Sequence, residues 1–300
     1  MQNYIVNEES SGQRVDNYLI EILGFSRSKI QKMLKSDSIK VNGTSVKNSY
    51  QLKEKDEITV GEYLQDEMNV NPEKMDLDIV YEDDDIIIIN KANGIVVHPA
   101  VGNNKGTLVN GLMYHSNELS TLNGQFRPGI VHRIDAYTTG LLMVAKNDKA
   151  HELLSKQLEQ KTTHRKYWAL VWGVINNDTG TIDAPIGRDS KDRKKMAVTS
   201  NNSKEAITHF KVLERYKETT LIELQLETGR THQIRVHMNY IGYPIVNDPV
   251  YGRRKIIDAT GQCLHAKELG FIHPRTGEKM EFSSEIPSSF STILEQFKNS

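Results

Sequence analysis

The chain has 300 residues, 37% hydrophobic and 26% charged, enough apolar surface for packed cores and enough length for two domains. One cysteine, Cys263, excludes an intrachain disulfide; no charged-then-apolar leader is apparent, and no apolar run, Ile86–Ile87–Ile88–Ile89 included, nears the roughly 18 residues of a membrane helix, so a cytoplasmic protein without a membrane partner is expected. A formal net charge of −1 removes any global electrostatic reason for a nucleic-acid partner, so any such affinity would have to come from local basic patches.

RVDNYLIEIL (14–23) places Val15, Tyr18, Leu19 and Ile22 on one helical face, and SRSKIQKMLK (26–35) does the same with Ile30, Met33 and Leu34 behind Ser26 as N-cap. Asn42–Gly43 in IKVNGTSV signals a tight hairpin turn. Arg27, Lys29 and Lys32 lie on or beside the second helix, with Lys35, Lys40 and Lys47 nearby. That patch reads either as a solvated helix face or as a phosphate-contacting surface.

Residues 61–78 are polar, acidic and weakly periodic, which divides the chain into a domain at 1–62, a linker at 63–78 and a second domain at 79–300. In the second domain, strands are expected at Ile86–Asn90, Gly94–Val97, Leu141–Ala145, Tyr167–Val174, Ile207–Arg215, Thr220–Glu227, Leu264–Ile272 and Lys279–Phe282. Helices are expected at 106–115, 148–160, about 231–241 and 288–298. Strands without regular βαβ alternation favour an α+β fold with a mainly antiparallel sheet.

Four stretches are polar where a strand or helix end would bring them to an edge: HRIDAYTTG (132–140), HRKYWALVWG (164–173), GRDSKDRKKMAV (187–198) and ETGRTHQIRVH (227–237). In a partly closed pocket Asp135 stays ionised only beside a cation, since desolvation favours the neutral acid. Arg230, at the expected start of a helix, or Arg235, a little over one turn along, can supply it. Tyr167 opens an apolar strand and is either a half-buried sheet aromatic or a base-stacking, proton-transferring phenol. Arg188, Lys191, Arg193, Lys194 and Lys195 form an exposed basic hairpin tip, a second cationic patch.

A metal or nucleotide cofactor is not expected. His232 and His237 would point about 140° apart on a helix, and HExxH, paired cysteines and glycine-rich phosphate loops are absent.

Taken in order, NKANGIVVHPA (90–100), GTLVNGL (106–112), RPGIVHRIDAYTTGLLMVAK (127–146), KYWALVWG (166–173), PIGRDSKDRKKMAV (185–198), ETGRTHQIRVHMNYIGYPIVNDPVYG (227–252) and LHAKELGFIHPRTGE (264–278) resemble the RluA/RluD-type pseudouridine synthases. RVDNYL through DEITV resembles an S4 RNA-binding domain. The resemblance implies a mixed, mainly antiparallel β-sheet catalytic domain with flanking helices (α+β), preceded by a small α/β S4 domain. It also implies an enzyme that isomerises uridine in RNA without cofactor or metal. Asp135 matches the essential catalytic residue, Arg133 the base-displacing arginine and Tyr167 the active-site tyrosine. GRTHQIR matches the motif that supplies the basic partner of the aspartate, assigned to Arg230 first and Arg235 second.

His132, Thr139, His232 and Gln233 join Arg27, Lys29, Lys32, Arg188, Lys194 and Lys195 as candidates for RNA contact. Ile134 stands where the family usually has leucine, Thr139 where serine is usual, and Asn247 where glycine is frequent. Ile134, Leu141 and Val236 are candidates for a lining that keeps water out.

Isomerisation breaks the ribose C1′–N1 bond and rejoins uracil through C5, so a carboxylate beside the developing positive sugar suits Asp135 as nucleophile toward C1′ or as base toward the C2′ proton. The expected partner is large-subunit ribosomal RNA or a ribosome assembly intermediate, met by a monomer. Two other classes compete: a non-catalytic S4-containing assembly protein, or a synthase acting on transfer RNA. A small-glycoside hydrolase would need a second acid or an ion site, and neither is apparent.

Overall fold

The computed structural model describes residues 2–61, 70–99, 105–124, 126–192, 194–252 and 256–299. Its contacts divide the chain into two compact units, Met1–Glu67 and Met68–Ser300. Among the described residues no helix is long and apolar enough to cross a membrane.

The first unit contains β1 (Gln2–Ile5), α1 (Val15–Leu23), α2 (Arg27–Lys35), β2 (Ile39–Val41) and β3 (Glu57–Val60), with the strands in the antiparallel order β1-β3-β2. Ser26 caps α2 by accepting the Lys29 N–H. At the expected tight turn Asn42 and Gly43 both have positive φ, 51° and 74°, and Val41 and Thr44 exchange backbone hydrogen bonds around them. Val15, Leu19, Ile30, Met33 and Leu34 pack on Ile39, Val41 and Ile58. Ile22 departs from the expected face and is 39% exposed.

The second unit begins earlier than composition implied. Residues 70–78, read as linker, pack against the body: Glu73 N–H donates to Asn110 O, Asn110 Nδ2 donates to Asn71 O, and Met75 and Leu77 lie against Gly111. Polar composition hid this because the attachment runs through backbone hydrogen bonds and two apolar side chains. The remainder of that segment, 62–69, lies outside the described residues.

The elements that follow are β4 (Ile79–Glu82), β5 (Ile86–Lys91), α3 (Leu108–His115), β6 (Thr139–Ala145), α4 (Asp148–Glu159), β7 (His164–Trp172), β8 (Thr179–Asp183), β9 (Ile186–Arg188), β10 (Met196–Val198), β11 (Ile207–Arg215), β12 (Thr219–Leu226), α5 (Gln233–Tyr240), β13 (Leu264–Ile272), β14 (Lys279–Ser283) and α6 (Ser288–Lys298). Nine strands form one sheet, β4-β5-β6-β13-β7-β12-β11-β8, with β14 beside the far part of β13. Among the described residues only the short β6–β13 pairing is parallel, so the mixed, mainly antiparallel α+β architecture is observed. Strand Gly94–Val97 is absent. The carbonyls of Val96 and Val97 instead accept the Leu108 and Val109 N–H groups at the start of α3, where a helix has free donors.

The central strands β5 and β6 are buried on both faces, which is why they read as unbroken apolar runs, whereas β4, β8, β11 and β14 alternate with exposed positions. Ile87, Ile89, Leu142, Val144, Tyr167 and Ala169 face one core with α3 and α5, whereas Ile86, Ile88, Leu141 and Met143 face another under α4. α6 covers Leu170 and Trp172.

One close approach sets the sheet centre. Gly140 (φ 105°) sits opposite Ala266, and a Cβ there would collide with the Ala266 backbone. Gly140→Ala is therefore expected to destabilise the protein by about 2–3 kcal/mol, lowering the melting temperature by about 5–10 °C in a calorimetric scan.

Candidate active site

Register assembles the site. Gly140, Ala266, Tyr167 and Leu224 lie side by side across β6, β13, β7 and β12, so the turn that precedes β6 opens over Tyr167. Asp135 occupies that turn, its carbonyl accepting the Thr138 N–H. Arg235, in the first turn of α5, donates from Nη1 to Asp135 Oδ2 at 2.9 Å. Its Nε and Nη2 grip both oxygens of Asp248 at 2.7 and 2.8 Å.

Burial works to raise the Asp248 pKa, but the Arg235 hydrogen bonds and charge, with the Val250 and Tyr251 N–H groups, hold it below the usual carboxylate range. Burial likewise opposes the Arg235 charge, and the two carboxylates overcome it, raising an already high pKa.

Arg230, the first choice for this role, does not pair with Asp135: its Nε donates to Glu205 O at 2.8 Å. The helix starts at Gln233, two residues later than expected, which leaves Arg230 in the preceding loop and puts Arg235 on the buried helix face. Gln233 determines that start. Its Oε1 accepts from Arg230 N–H and Thr228 Oγ1, and its Nε2 donates to Ile207 O and Thr208 Oγ1.

Two candidates for RNA contact, Gln233 and Thr139, thus have their polar atoms engaged inside the protein, and a third, His132, has its Nε2 engaged while its ring lines the cavity. Gln233 is buried in the network just described. Thr139 falls on the opposite strand face from Gly140 and bonds His265 Nδ1 at 2.8 Å. His132 Nε2 accepts the Met143 N–H at 3.1 Å, and burial pushes its pKa down to about 3, so the ring is neutral.

His232 is different. It caps α5 in a left-handed conformation (φ 57°), with Nε2 3.8 Å from Asp135 Oδ1 and Nδ1 sharing a 2.8 Å hydrogen bond with Tyr251 OH. His237 faces Thr208 and Ala184, well apart in partners from His232. Arg133 is exposed at the cavity rim, with Nη1 3.5 Å from His98 Nε2. Tyr167 is buried, which pushes its phenol pKa up.

Asp135, Tyr167, Arg235, His232, Arg165 and Ile134 line a cavity of about 560 Å³. Of the other two residues expected in an apolar lining, Leu141 faces the α4 side and Val236 packs under the β9–β10 hairpin; Ile234, Leu226 and Leu264 line the cavity instead.

Residues 85–240 match the family model described as RNA pseudouridylate synthase, and residues 13–58 match the S4 domain. The chain belongs to the RNA pseudouridylate synthase family. The synthase is 54% identical to an uncharacterized RNA pseudouridine synthase of Bacillus subtilis, over 97% of this chain and 96% of that protein. It is 40% identical to the ribosomal large subunit pseudouridine synthase D of Zymomonas mobilis, over 96% of this chain and 95% of that one. Among solved structures, human RNA pseudouridylate synthase domain containing 1 superposes with a TM-score of 0.58 at 25% identity, covering 75% of this chain and 96% of that one.

Several side chains that support the synthase site escaped the sequence. Asp248 gave only the weak signal of an acid in the apolar stretch PIVNDPV. Asn247 before it has φ 62°, a conformation that favours glycine, and holds it by bonding Asp258 Oδ1 and Gly261 O. Lys91 ends β5 buried, its Nζ donating to the carbonyls of Ala92, Ile95 and Ala136, which ties the Asp135 turn to the loop after β5. Burial pushes its pKa down to about 7 against the pull of Asp135.

Tyr251 OH accepts the Met196 N–H at 2.9 Å, so it links the base of the β9–β10 hairpin to His232.

Removing Arg235 leaves Asp248 buried without its counter-ion, whereas Arg230 holds only a backbone carbonyl. Arg235→Met is expected to cost about 3–5 kcal/mol of stability in denaturant titration. The same variant should lose at least about 10³-fold in single-turnover rate, against less than about threefold for Arg230→Ala.

Proposed function

We propose that this synthase isomerises specific uridines of large-subunit ribosomal RNA, with Asp135 as the catalytic carboxylate. The observation that carries the reading is the Asp135–Arg235 bond at the wall of the cavity, which holds a partly buried carboxylate in a fixed position where a nucleoside can enter. A carboxylate at this position stabilises the positive character that C1′ acquires as its bond to N1 breaks, acting on C1′ or on the C2′ proton.

The uridine has to leave its stack, at a cost lowest in loops and bulges. In this reading Arg133, exposed at the rim, occupies the vacated space and Tyr167 receives the base, which their positions in the cavity lining support. The ribosomal target is supported by relatives in Zymomonas mobilis and Pseudomonas aeruginosa, 40% and 41% identical over nearly the full chain, that carry the name ribosomal large subunit pseudouridine synthase D.

RNA affinity is assigned to two cationic regions. On α2, Lys32 and Lys35 are exposed beside Lys47, Lys29 Nζ lies 3.5 Å from the Phe25 ring centroid, and Arg27 bonds Asn17 Oδ1. In the second unit, Arg188 and Lys194 are exposed and Lys195 half-buried at the β9–β10 hairpin; Arg193 lies outside the described residues.

Wild-type protein should release tritium from large-subunit ribosomal RNA labelled at uracil C5, and Asp135→Asn should release none above background. Release by both would remove Asp135 from the chemistry, and release from transfer RNA alone would move the target. Neutralising Lys29 and Lys32 should weaken RNA binding and flatten the slope of log affinity against log salt by about 1–2, measured by filter binding.

A further inference from the structure

Arg165 stands on β7 two residues before Tyr167, so the pleat turns both side chains toward the same face. It is 8% exposed and lines the cavity beside Asp135, yet its Nε is buried without a hydrogen-bond partner. Of the carboxylates that line the cavity, Asp135 is bonded by Arg235, Glu227 is bonded by Lys161 and His209, and Glu159 is exposed to solvent; no ion pair reaches Arg165 among the described residues. Its charge acts on both Tyr167 and His132. His132 offers it no counter-charge, since that imidazole is neutral and bonded to Met143.

A guanidinium cannot shed its proton, and a buried unpaired cation is costly to keep. Such a group is retained where a ligand brings the negative charge. RNA offers two: the phosphodiester, and the uracil once it is detached. A flipped nucleotide enters base first while its phosphates stay toward solvent. Arg165 is more deeply placed than Asp135, whose side chain is 17% exposed, so the base is the part that reaches it.

We infer that Arg165 donates to a carbonyl oxygen of the target uracil and stabilises the negative charge that the base acquires when its bond to C1′ breaks. The electron count is closed. As C1′–N1 breaks, the bonding pair leaves with uracil and spreads over N1, O2, O4 and C5. The pair returns from C5 to form the C5–C1′ bond, which discharges the positive C1′; the C5 proton then passes to solvent and N1 takes up a proton from solvent, so the product is the neutral isomer. A fixed cation at the carbonyl edge favours the charge-separated state over the bound nucleoside, so it acts on the rate more than on affinity.

This inference rests on the reading of Asp135 as the catalytic carboxylate, and the test separates the two. Full-length wild type, Asp135→Asn, Arg165→Met and Arg165→Lys are compared in single turnovers at saturating RNA. The transcript carries either uridine or 5-fluorouridine, and loss of the target nucleoside is followed by digestion and mass spectrometry. Fluorine makes the departing uracil anion more stable, so it lessens the need for a cation.

Arg165→Met should slow uridine isomerisation by about 10²–10³-fold with RNA affinity changed less than about threefold, and should slow 5-fluorouridine turnover at least about tenfold less. Weakened binding with an unchanged saturated rate would make Arg165 a phosphate contact and overturn the inference. Equal losses for the two nucleosides would reduce it to a structural residue. Arg165→Lys keeps the charge and should recover at least about tenfold of the loss, and it serves as the deciding variant if Arg165→Met melts below assay temperature; a folded Lys variant without recovery also overturns the inference. Activity retained by Asp135→Asn would instead overturn the reading of Asp135 and inactive wild type the ribosomal target, whereas active wild type, inactive Asp135→Asn and normal Arg165→Met would sink the Arg165 role alone.

Discussion

The Arg235 guanidinium, gripped by Asp248 on one edge and bonded to Asp135 on the other, is the interaction on which the rest of the site depends. The proposed action of Asp135 on a sugar calls for a carboxylate that is sheltered and fixed beside a cation. Asp248 solves half of this problem by fixing Arg235 with two parallel bonds, so the third donor is held where Asp135 meets it. Arginine suits the position because its charge survives at 5% side-chain exposure.

That ion cluster works only because the backbone around it is positioned by unrelated devices. The pleat and register of four strands carry Tyr167 under the Asp135 turn, and Gly140 allows the close β6–β13 pairing that holds the turn's far end. Lys91 holds the near end through the Ala136 carbonyl. Gln233 sets the first residue of α5 and with it the direction in which Arg235 points. Tyr251 ties His232 to the hairpin that presents Arg188 and Lys194, so a surface assigned to RNA is joined by hydrogen bonds to the histidine that lies 3.8 Å from the Asp135 carboxylate.

The near-neutral net charge is consistent with this division. Cations gather on α2 and at the hairpin, where phosphates can be met, while acids elsewhere limit indiscriminate binding. Inside the cavity the logic is the reverse, since each charge there must be matched by protein or by ligand. Arg235 is matched by protein, and Arg165 is left for the base.

Much of this was legible in one dimension. Helices α1 and α2, the Ser26 cap, the Asn42–Gly43 turn and most strands follow from periodicity and turn chemistry, which are local properties of the chain. The motifs around Asp135, Tyr167 and Arg235 could be recognised because they are contiguous. What the sequence left open was every choice made between distant segments. Arg230 and Arg235 are equivalent on paper until the Gln233 network sets where the helix begins, and Thr139 looks like a site residue until strand parity turns it to the other face. Residues 70–78 read as linker because their attachment is made by backbone atoms, which composition does not report. Asp248 and Arg165 emerge only when β7, α5 and the loop after it converge. Local chemistry therefore determined which residues could do the work, and the three-dimensional packing decided which of them meet, because charge pairing depends on distances that sequence separation does not encode.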